Sequence, residues 1–401
     1  MILTIAWRNI WRNKRRSFVL IITIAIGSFA ILGTQAFVNA FERQMVNGSL
    51  DFQTASVEIA APGFRTQPSI DSFIEQGDAL ESELKAKIGL KWSPRVLLQG
   101  MASSPESATA AQIYGVVPER ERSVSLIADK IIEGTFLTQE GQVVIGVDMA
   151  DHLDLRLGEK MVLMVSGLSK DINANAFRII GIFQSGYQDV DKMRVYVSRH
   201  DAARLAEYDQ QLNMVAIKLD DPAQAEPLAN QLALSTPGCE VLHWRQLNPF
   251  LVVSLESFKY NVWIFGGIML TAIAFSIINI FLMVIFERVR EIGITLALGA
   301  PPRVIRAMLI WETLFVGLLG CFVGSVTAFA FIHPLTTGGL DLSIVSEGLG
   351  RFGISPIIHP FVTTSDQVLA VLMTLGMSVL ASLYPAIKAS RFQVVDAIHF
   401  Q

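Results

Sequence analysis

The chain has 401 residues, 51% of them apolar and only 17% charged, with a mean hydropathy of +0.45. Soluble domains carry about a quarter charged residues, so an ordinary soluble protein is excluded. The formal net charge of −4 says little by itself, because the sign differs between compartments, and no nucleic-acid partner is expected.

The apolar excess is concentrated in four blocks, whereas the stretch from Asn47 to Pro249 has soluble composition. That distribution predicts an integral membrane protein with one large aqueous domain. Residues Met1 to Ser17 interleave Ile2, Leu3, Ile5, Ala6, Trp7, Ile10 and Trp11 with Arg8, Arg12, Lys14, Arg15 and Arg16, the pattern of an interfacial amphipathic helix. Phe18 to Phe41 follows as an apolar run. At about 22 residues it is long enough to span a bilayer and too long for a signal-peptide core, so an uncleaved anchor is expected. Its basic flank puts the N-terminus in the cytoplasm.

Past the membrane the helical pattern continues through Met45, and the chain then changes character. Alternation predicts a strand over Ser56–Ala60, and strand-like runs follow at Arg95–Leu98, Ala111–Val117, Gln142–Val147, Lys160–Val165, Ala176–Ile182 and Met193–Val197, with a further strand over Met214–Leu219. Helices are predicted over Asp71–Leu90, with Phe73, Ile74, Leu80, Leu84 and Ile88 as the buried face, and over Asp201–Leu205 and Pro222–Leu234. Short strands and helices mixed in this way predict an α+β domain. The chain returns through Leu251–Lys259 into a second span, Tyr260–Phe286, and a third run covers Ile305–Phe331. Gly317, Gly320 and Gly324 within it permit close helix packing. A fourth run, Gln367–Tyr384, ends at Pro385 after a connection that holds Asp341, Glu347 and Arg351.

Basic residues crowd 1–16, 287–306 and 388–391. With four spans all three segments fall on one side, so both termini are expected in the cytoplasm and the aqueous domain outside it. The fold class expected is an α-helical membrane protein with four transmembrane helices and a large α+β periplasmic domain between the first two. The predicted order is amphipathic helix (1–16), first span with an extension (17–46), periplasmic domain (47–250), second span (251–286), cytoplasmic helix (287–302), third span (303–332), periplasmic connection (333–366), fourth span (367–386) and cytoplasmic tail (387–401).

Few residues offer chemistry. No GxxxxGK[ST] loop, G-x-S-x-G elbow or H-E-x-x-H helix occurs, so no catalytic residue is assigned and no nucleotide is expected to be hydrolysed by this chain. Cys239 and Cys321 lie in different solvents and should not pair, and scattered histidines, including His152, His200, His243 and His333, predict no metal site. Glu312 is an acid within an apolar run, close enough to the cytoplasmic side to snorkel or to pair with Arg306. Four spans this poor in polar groups do not make a polar pore.

AWRNIWRNKRR (Ala6–Arg16), ERVREIGITLALGA (Glu287–Ala300) and YPAIKASRFQVVDAI (Tyr384–Ile398) resemble the FtsX/MacB/LolC-LolE class of ABC-transporter permeases. GTFLTQEGQVVIG (Gly134–Gly146) and GIFQSGYQDVD (Gly181–Asp191) resemble that family's periplasmic domain. The resemblance covers nearly the whole chain, and its layout is that of the lipoprotein-releasing subunits. The ATPase domain fused to the N-terminus of MacB-type exporters is not expected here.

What the resemblance implies is a type VII, mechanotransmitting permease. It would form a dimer with a second copy or a paralogue and sit on a separate cytoplasmic ATPase that binds ATP and magnesium. The substrate implied is a lipoprotein, drawn from membrane lipid towards a periplasmic carrier. A MacB-like exporter with an adaptor and an FtsX-like regulator of a cell-wall hydrolase are the alternatives. Glu287–Ala300 maps onto the coupling helix. Ile292, Ile294, Leu296 and Leu298, with Gly293 and Gly299, would fill a groove on the ATPase, and Glu287, Arg288, Arg290 and Glu291 would pair at its rim. Pro301 and Pro302 would end the helix. The substrate candidates are Phe37, Phe41, Met45, Phe258, Tyr260 and Trp263 at the outer ends of the first two spans, where aromatics also serve as interface anchors.

Overall fold

The structure is a computed structural model and describes residues 2–12, 14–87, 89–209, 211–345 and 357–391. Ile88, Glu347, Arg351 and the end of the C-terminal motif lie outside the described residues. In chain order the first elements are α1 (Ile2–Arg12), α2 (Lys14–Gly48), a π-helical turn (Ser49–Gln53), β1 (Val57–Ala60), α3 (Gly77–Ala86), β2 (Lys91–Ser103), β3 (Ala108–Val116) and α4 (Pro118–Val124). Then follow β4 (Ile131–Gly134), β5 (Gln142–Gly146), α5 (Val147–Leu153), β6 (Lys160–Ser166), β7 (Ile172–Phe183), α6 (Gln188–Met193), β8 (Arg194–Ser198), α7 (Arg199–Ala206) and β9 (Met214–Lys218). The chain continues through α8 (Ala225–Ser235), β10 (Glu240–His243), α9 (Trp244–Leu247), α10 (Pro249–Glu287), α11 (Val289–Ala297), α12 (Pro302–Gly338), β11 (Leu340–Asp341), β12 (Ile357–Ile358) and α13 (Thr364–Ala389). Among the described residues, 43–254 with 342–345 form one compact unit, and the others form a second.

The first unit is built on a ten-stranded sheet. β2 is long enough to serve two neighbours on one edge: Lys91–Arg95 pairs with β9 and Gly100–Ser103 with β6. Its other edge carries β3 over Arg95–Ser103. The pairings β2–β3–β8–β5–β7–β6 return to β2, so the strands close on themselves. Closure removes exposed sheet edges. Val96, Leu98, Ile113, Val143, Ile145, Met161, Leu163, Phe177, Ile179, Val195 and Val197 fill the interior, two apart along each strand as the pleat requires. Gly100 stands where β2 passes from β9 to β6, and a Cβ there would strike the Met164 carbonyl oxygen. A buried bidentate pair, Arg95 Nη2 to Glu121 Oε1 at 2.6 Å and Nε to Oε2 at 3.1 Å, ties β2 to α4.

Every predicted strand is present, four of the eight longer than predicted, but three predictions need correction. The helix expected over Asp71–Leu90 is only α3, burying Leu80 and Leu84. Phe73 and Ile74 precede it because the Ile74 N–H is committed to the Leu212 carbonyl at 2.8 Å, which prevents an earlier helix start. Val147 begins α5 and does not end β5, and Pro222–Gln224 is a 3-10 turn ahead of α8.

The other unit contains the membrane-length helices. Four helical stretches are long and apolar enough to cross a bilayer: Lys14–Phe52, Pro249–Glu287, Pro302–Gly338 and Thr364–Ala389. Two run further than predicted, since Pro334 lies inside α12 and Pro385 inside α13. α12 packs on α2 through its glycines: a Cβ on Gly320 would lie 2.7 Å from Ile24 Cβ, and one on Gly324 would lie 2.6 Å from the Ala25 carbonyl oxygen. Gly317 faces Leu375 of α13 instead. Ile10, Leu20, Ile24, Ile273, Ile277, Phe281, Val316 and Cys321 form the centre of the bundle.

Candidate functional site

The two ends of the bundle differ in chemistry. At one end α1, α11 and the start of α12 come together. α1 buries Ala6 and Ile10 and sets the Trp7 ring 5.5 Å from Phe315 of α12. Arg12 Nη2 meets Glu291 Oε2 at 2.5 Å, Arg16 pairs with Glu287, and Arg288 Nε reaches Glu291 Oε2 at 3.1 Å. Partial burial works against the charge on Glu291, but hydrogen bonds from Arg288 and Arg12 outweigh it and hold the carboxyl below its usual range. Arg288 also stands 3.6 Å from Glu312, and both side chains are 11% exposed. Glu312 therefore faces Arg288 and not Arg306, which lies on the exposed side of α12.

α11 has two faces. Val289, Ile292 and Gly293 are buried, and Ile292 packs in a cluster with Ile285, Ile305, Leu309, Ala386 and Ala389, with Leu296 against its side. The opposite face exposes Arg290, Ile294 and Leu298, the last of these 83% exposed. The expectation that Ile292 and Gly293 meet a partner is thus corrected: they hold α11 onto its own bundle. Gly299, at φ +92°, ends the helix in the left-handed region that favours glycine.

At the other end lies a cleft of about 280 Å³ walled by α2, α10 and α13. Of the six predicted substrate residues only Trp263 lines it. Phe41 stacks on Phe258 with centroids 6.4 Å apart, Phe37 is half-buried, Met45 is buried and Tyr260 is largely exposed. The sequence reading missed Glu42, Lys259 and Asp366, which share the rim of the cleft. Lys259 Nζ stands 3.8 Å from Glu42 Oε1. Asp366 caps α13 in a box with Thr363 and accepts from Asn39 Nδ2 at 2.7 Å. Single charges on three helices far apart in sequence have no local spacing to betray them. Among the described residues no His, Cys, Asp and Glu cluster could hold a metal, and both cysteines are free.

Four bilayer-length helices, with a large α/β domain entered between the first and the second, define a multi-pass membrane protein with a periplasmic-type domain. Residues 17–234 match the family model of the MacB-like periplasmic core domain, and residues 263–394 that of the FtsX-like permease C-terminal region. The chain belongs to this family, the MacB- and FtsX-like permeases of ABC transporters. It is similar to the lipoprotein-releasing system transmembrane protein LolC of Xylella fastidiosa, with 24% identity over 97% of each chain. The corresponding LolE of Haemophilus influenzae is 24% identical over 98% of each chain. The macrolide export ATP-binding/permease protein MacB of Hyphomonas neptunium is 23% identical over 98% of this chain and 60% of its own.

Proposed function

We propose that the chain is a permease subunit that extracts lipoproteins from the inner membrane for a periplasmic carrier, driven by a separate ATPase that binds ATP and magnesium. The observation that carries this reading is the end-to-end likeness to lipoprotein-releasing proteins, with 97% of both chains covered for LolC. In this reading both termini and α11 are cytoplasmic and the inserted domain is periplasmic. The basic residues of α1, α11 and the start of α12, gathered at one end of the bundle, support that orientation.

α11 is then the coupling helix. Its exposed face, Arg290, Ile294 and Leu298, meets the ATPase, while Ile292 and the Arg288–Glu312 pair hold it to the bundle. α2 and α10 carry the motion outward, since each is unbroken, over 35 and 39 residues. At 1.5 Å per residue both exceed the roughly 30 Å of a bilayer core. Inside the domain Asn248 Nδ2, next to the start of α10, donates at 3.1 Å to Ser49 Oγ, just past α2, and Lys218 of β9 holds Asp51 at 2.5 Å. Arg194 donates to the Phe52 carbonyl. The permease works as a dimer with a second copy or a paralogue, and the Phe41–Phe258 stack marks where acyl chains enter.

A MacB-like exporter working with an adaptor is the second reading, favoured by the match of residues 17–234 to the MacB-like model. Co-purification from native membranes separates the two. An ATPase with bound lipoprotein supports the first, and an adaptor protein in place of lipoprotein supports the second.

A further inference from the structure

The cleft among α2, α10 and α13 has a shape and a charge pattern of its own. Along α2 its lining runs from Ile31 to Glu42, and along α10 from Leu270 to Lys259. Each stretch rises about 16 Å at 1.5 Å per residue. That matches one leaflet, about half of a 30 Å hydrocarbon core. Below the rim the lining is mostly apolar, with Ile31, Val38, Leu270, Leu369 and Met373, and Thr34 and Gln35 interrupt it on α2. Gly266 and Gly267 leave the α10 wall without side chains, and a Cβ on either would meet nothing within 4 Å. The space is therefore created by the sequence of α10 and extends along the direction a lipid chain takes.

The rim carries one cation, Lys259, and two acids, Glu42 and Asp366, and the Lys259–Glu42 ion pair is too long to be hydrogen-bonded. Glu42 Oε1 is buried and has no hydrogen-bond partner, and its nearest cation, Lys259 Nζ, stands at 3.8 Å, beyond hydrogen-bond reach. Asp366 is already satisfied by Asn39 and Thr363. Lys259 is 62% exposed, and its long ion pair with Glu42 leaves ammonium protons open to a second anionic group. A buried carboxylate oxygen without a donor is costly, so a ligand that brings an N–H there is favoured. A ligand that also brings an anionic oxygen answers Lys259.

We propose that this cleft binds one bilayer phospholipid with a primary-amine head group. One acyl chain lies along the apolar wall beside Gly266 and Gly267, the phosphate meets Lys259, and the ammonium donates to Glu42. A choline head group has no N–H for Glu42, and a glycerol head group has no cation. The assignment needs only the four spans, and it stands whether or not lipoproteins are the cargo.

The test is native mass spectrometry of the full chain purified in mild detergent and titrated with phosphatidylethanolamine, phosphatidylcholine and phosphatidylglycerol of equal chain length. One phosphatidylethanolamine per chain is expected, bound about tenfold more tightly than the other two, as a charge-assisted hydrogen bond gives. Glu42→Gln should bring phosphatidylethanolamine down to the level of phosphatidylcholine. Lys259→Met, at an exposed position, should weaken all three lipids. Equal binding of the three, or an undiminished preference in Glu42→Gln with an unchanged unfolding midpoint, overturns the proposal.

Discussion

Replacing Gly324 by Ala adds one methyl group where α12 touches α2. The new Cβ would lie 2.6 Å from the Ala25 carbonyl oxygen and 2.7 Å from Ser28 Cβ. Carbon contacts are optimal at about 3.5–4.0 Å, so the two helices must separate by roughly 1 Å. The neighbour at closest approach is helix backbone, which cannot rotate out of the way. Overpacking of this kind costs about 1–3 kcal/mol. Against it stands the better helix propensity of alanine, about 1 kcal/mol. The net expectation is a loss of up to about 2 kcal/mol, and Gly324→Val should lose more. Gly376 of α13 is the control, since a Cβ there meets nothing within 4 Å. Gly376→Ala should therefore stabilise by up to about 1 kcal/mol through propensity alone. The assay is thermal unfolding in detergent followed with a thiol-reactive fluorophore, in a Cys239→Ser background. The remaining thiol, Cys321, is buried in the bundle and reacts only when the helices part. Equal shifts of the same sign in Gly324→Ala and Gly376→Ala would refute the packing argument.

Three further predictions concern the other parts of the molecule. Glu121→Leu strands Arg95 in the barrel wall and should cost about 3–5 kcal/mol, whereas adding Arg95→Met should recover much of the loss, read by urea unfolding of the full chain. Ile294→Asp and Leu298→Asp should abolish co-purification of the ATPase with normal membrane insertion, whereas Ile292→Asp should lower the unfolding midpoint instead; normal co-purification from the first two would remove α11 from the coupling role. Glu207 is held below the usual carboxylate range by hydrogen bonds from Asn173 and then Ser169. Its bracing of the turn between β6 and β7 is present at neutral pH and is lost as pH falls through that depressed value. The protection factor of the Ser169 amide, with the intrinsic pH dependence of exchange divided out, should fall below this point in the wild type, and Glu207→Gln should flatten the dependence.

The four spans were legible because each is a long run of apolar residues, and basic residues crowd 1–16, 287–306 and 388–391 between and beside them. The strands were legible as short apolar runs, as in Val143 to Ile145 and Met161 to Val165. Their closure was not, because the return of β6 to β2 is a pairing of residues some 60 apart that no local pattern encodes. The two faces of α11 were within reach: Val289, Ile292 and Leu296 fall on one stripe, Arg290, Ile294 and Leu298 on the other. Reading its apolar residues as one docking set overlooked that the helix also needs a face for its own bundle. Glu312 was singled out correctly as a lone acid, yet its partner Arg288 comes from α10's junction with α11, a neighbour only after folding.

Release of lipoproteins from the inner membrane is the role proposed for this chain. The direct measurement is to place its gene under a regulated promoter, deplete the chain, and pulse-label newly made lipoproteins before separating the membranes. The account predicts mature lipoproteins accumulating in the inner membrane as the chain disappears, with recovery by the wild type and no recovery by Leu298→Asp. Unchanged lipoprotein sorting after complete depletion would contradict it.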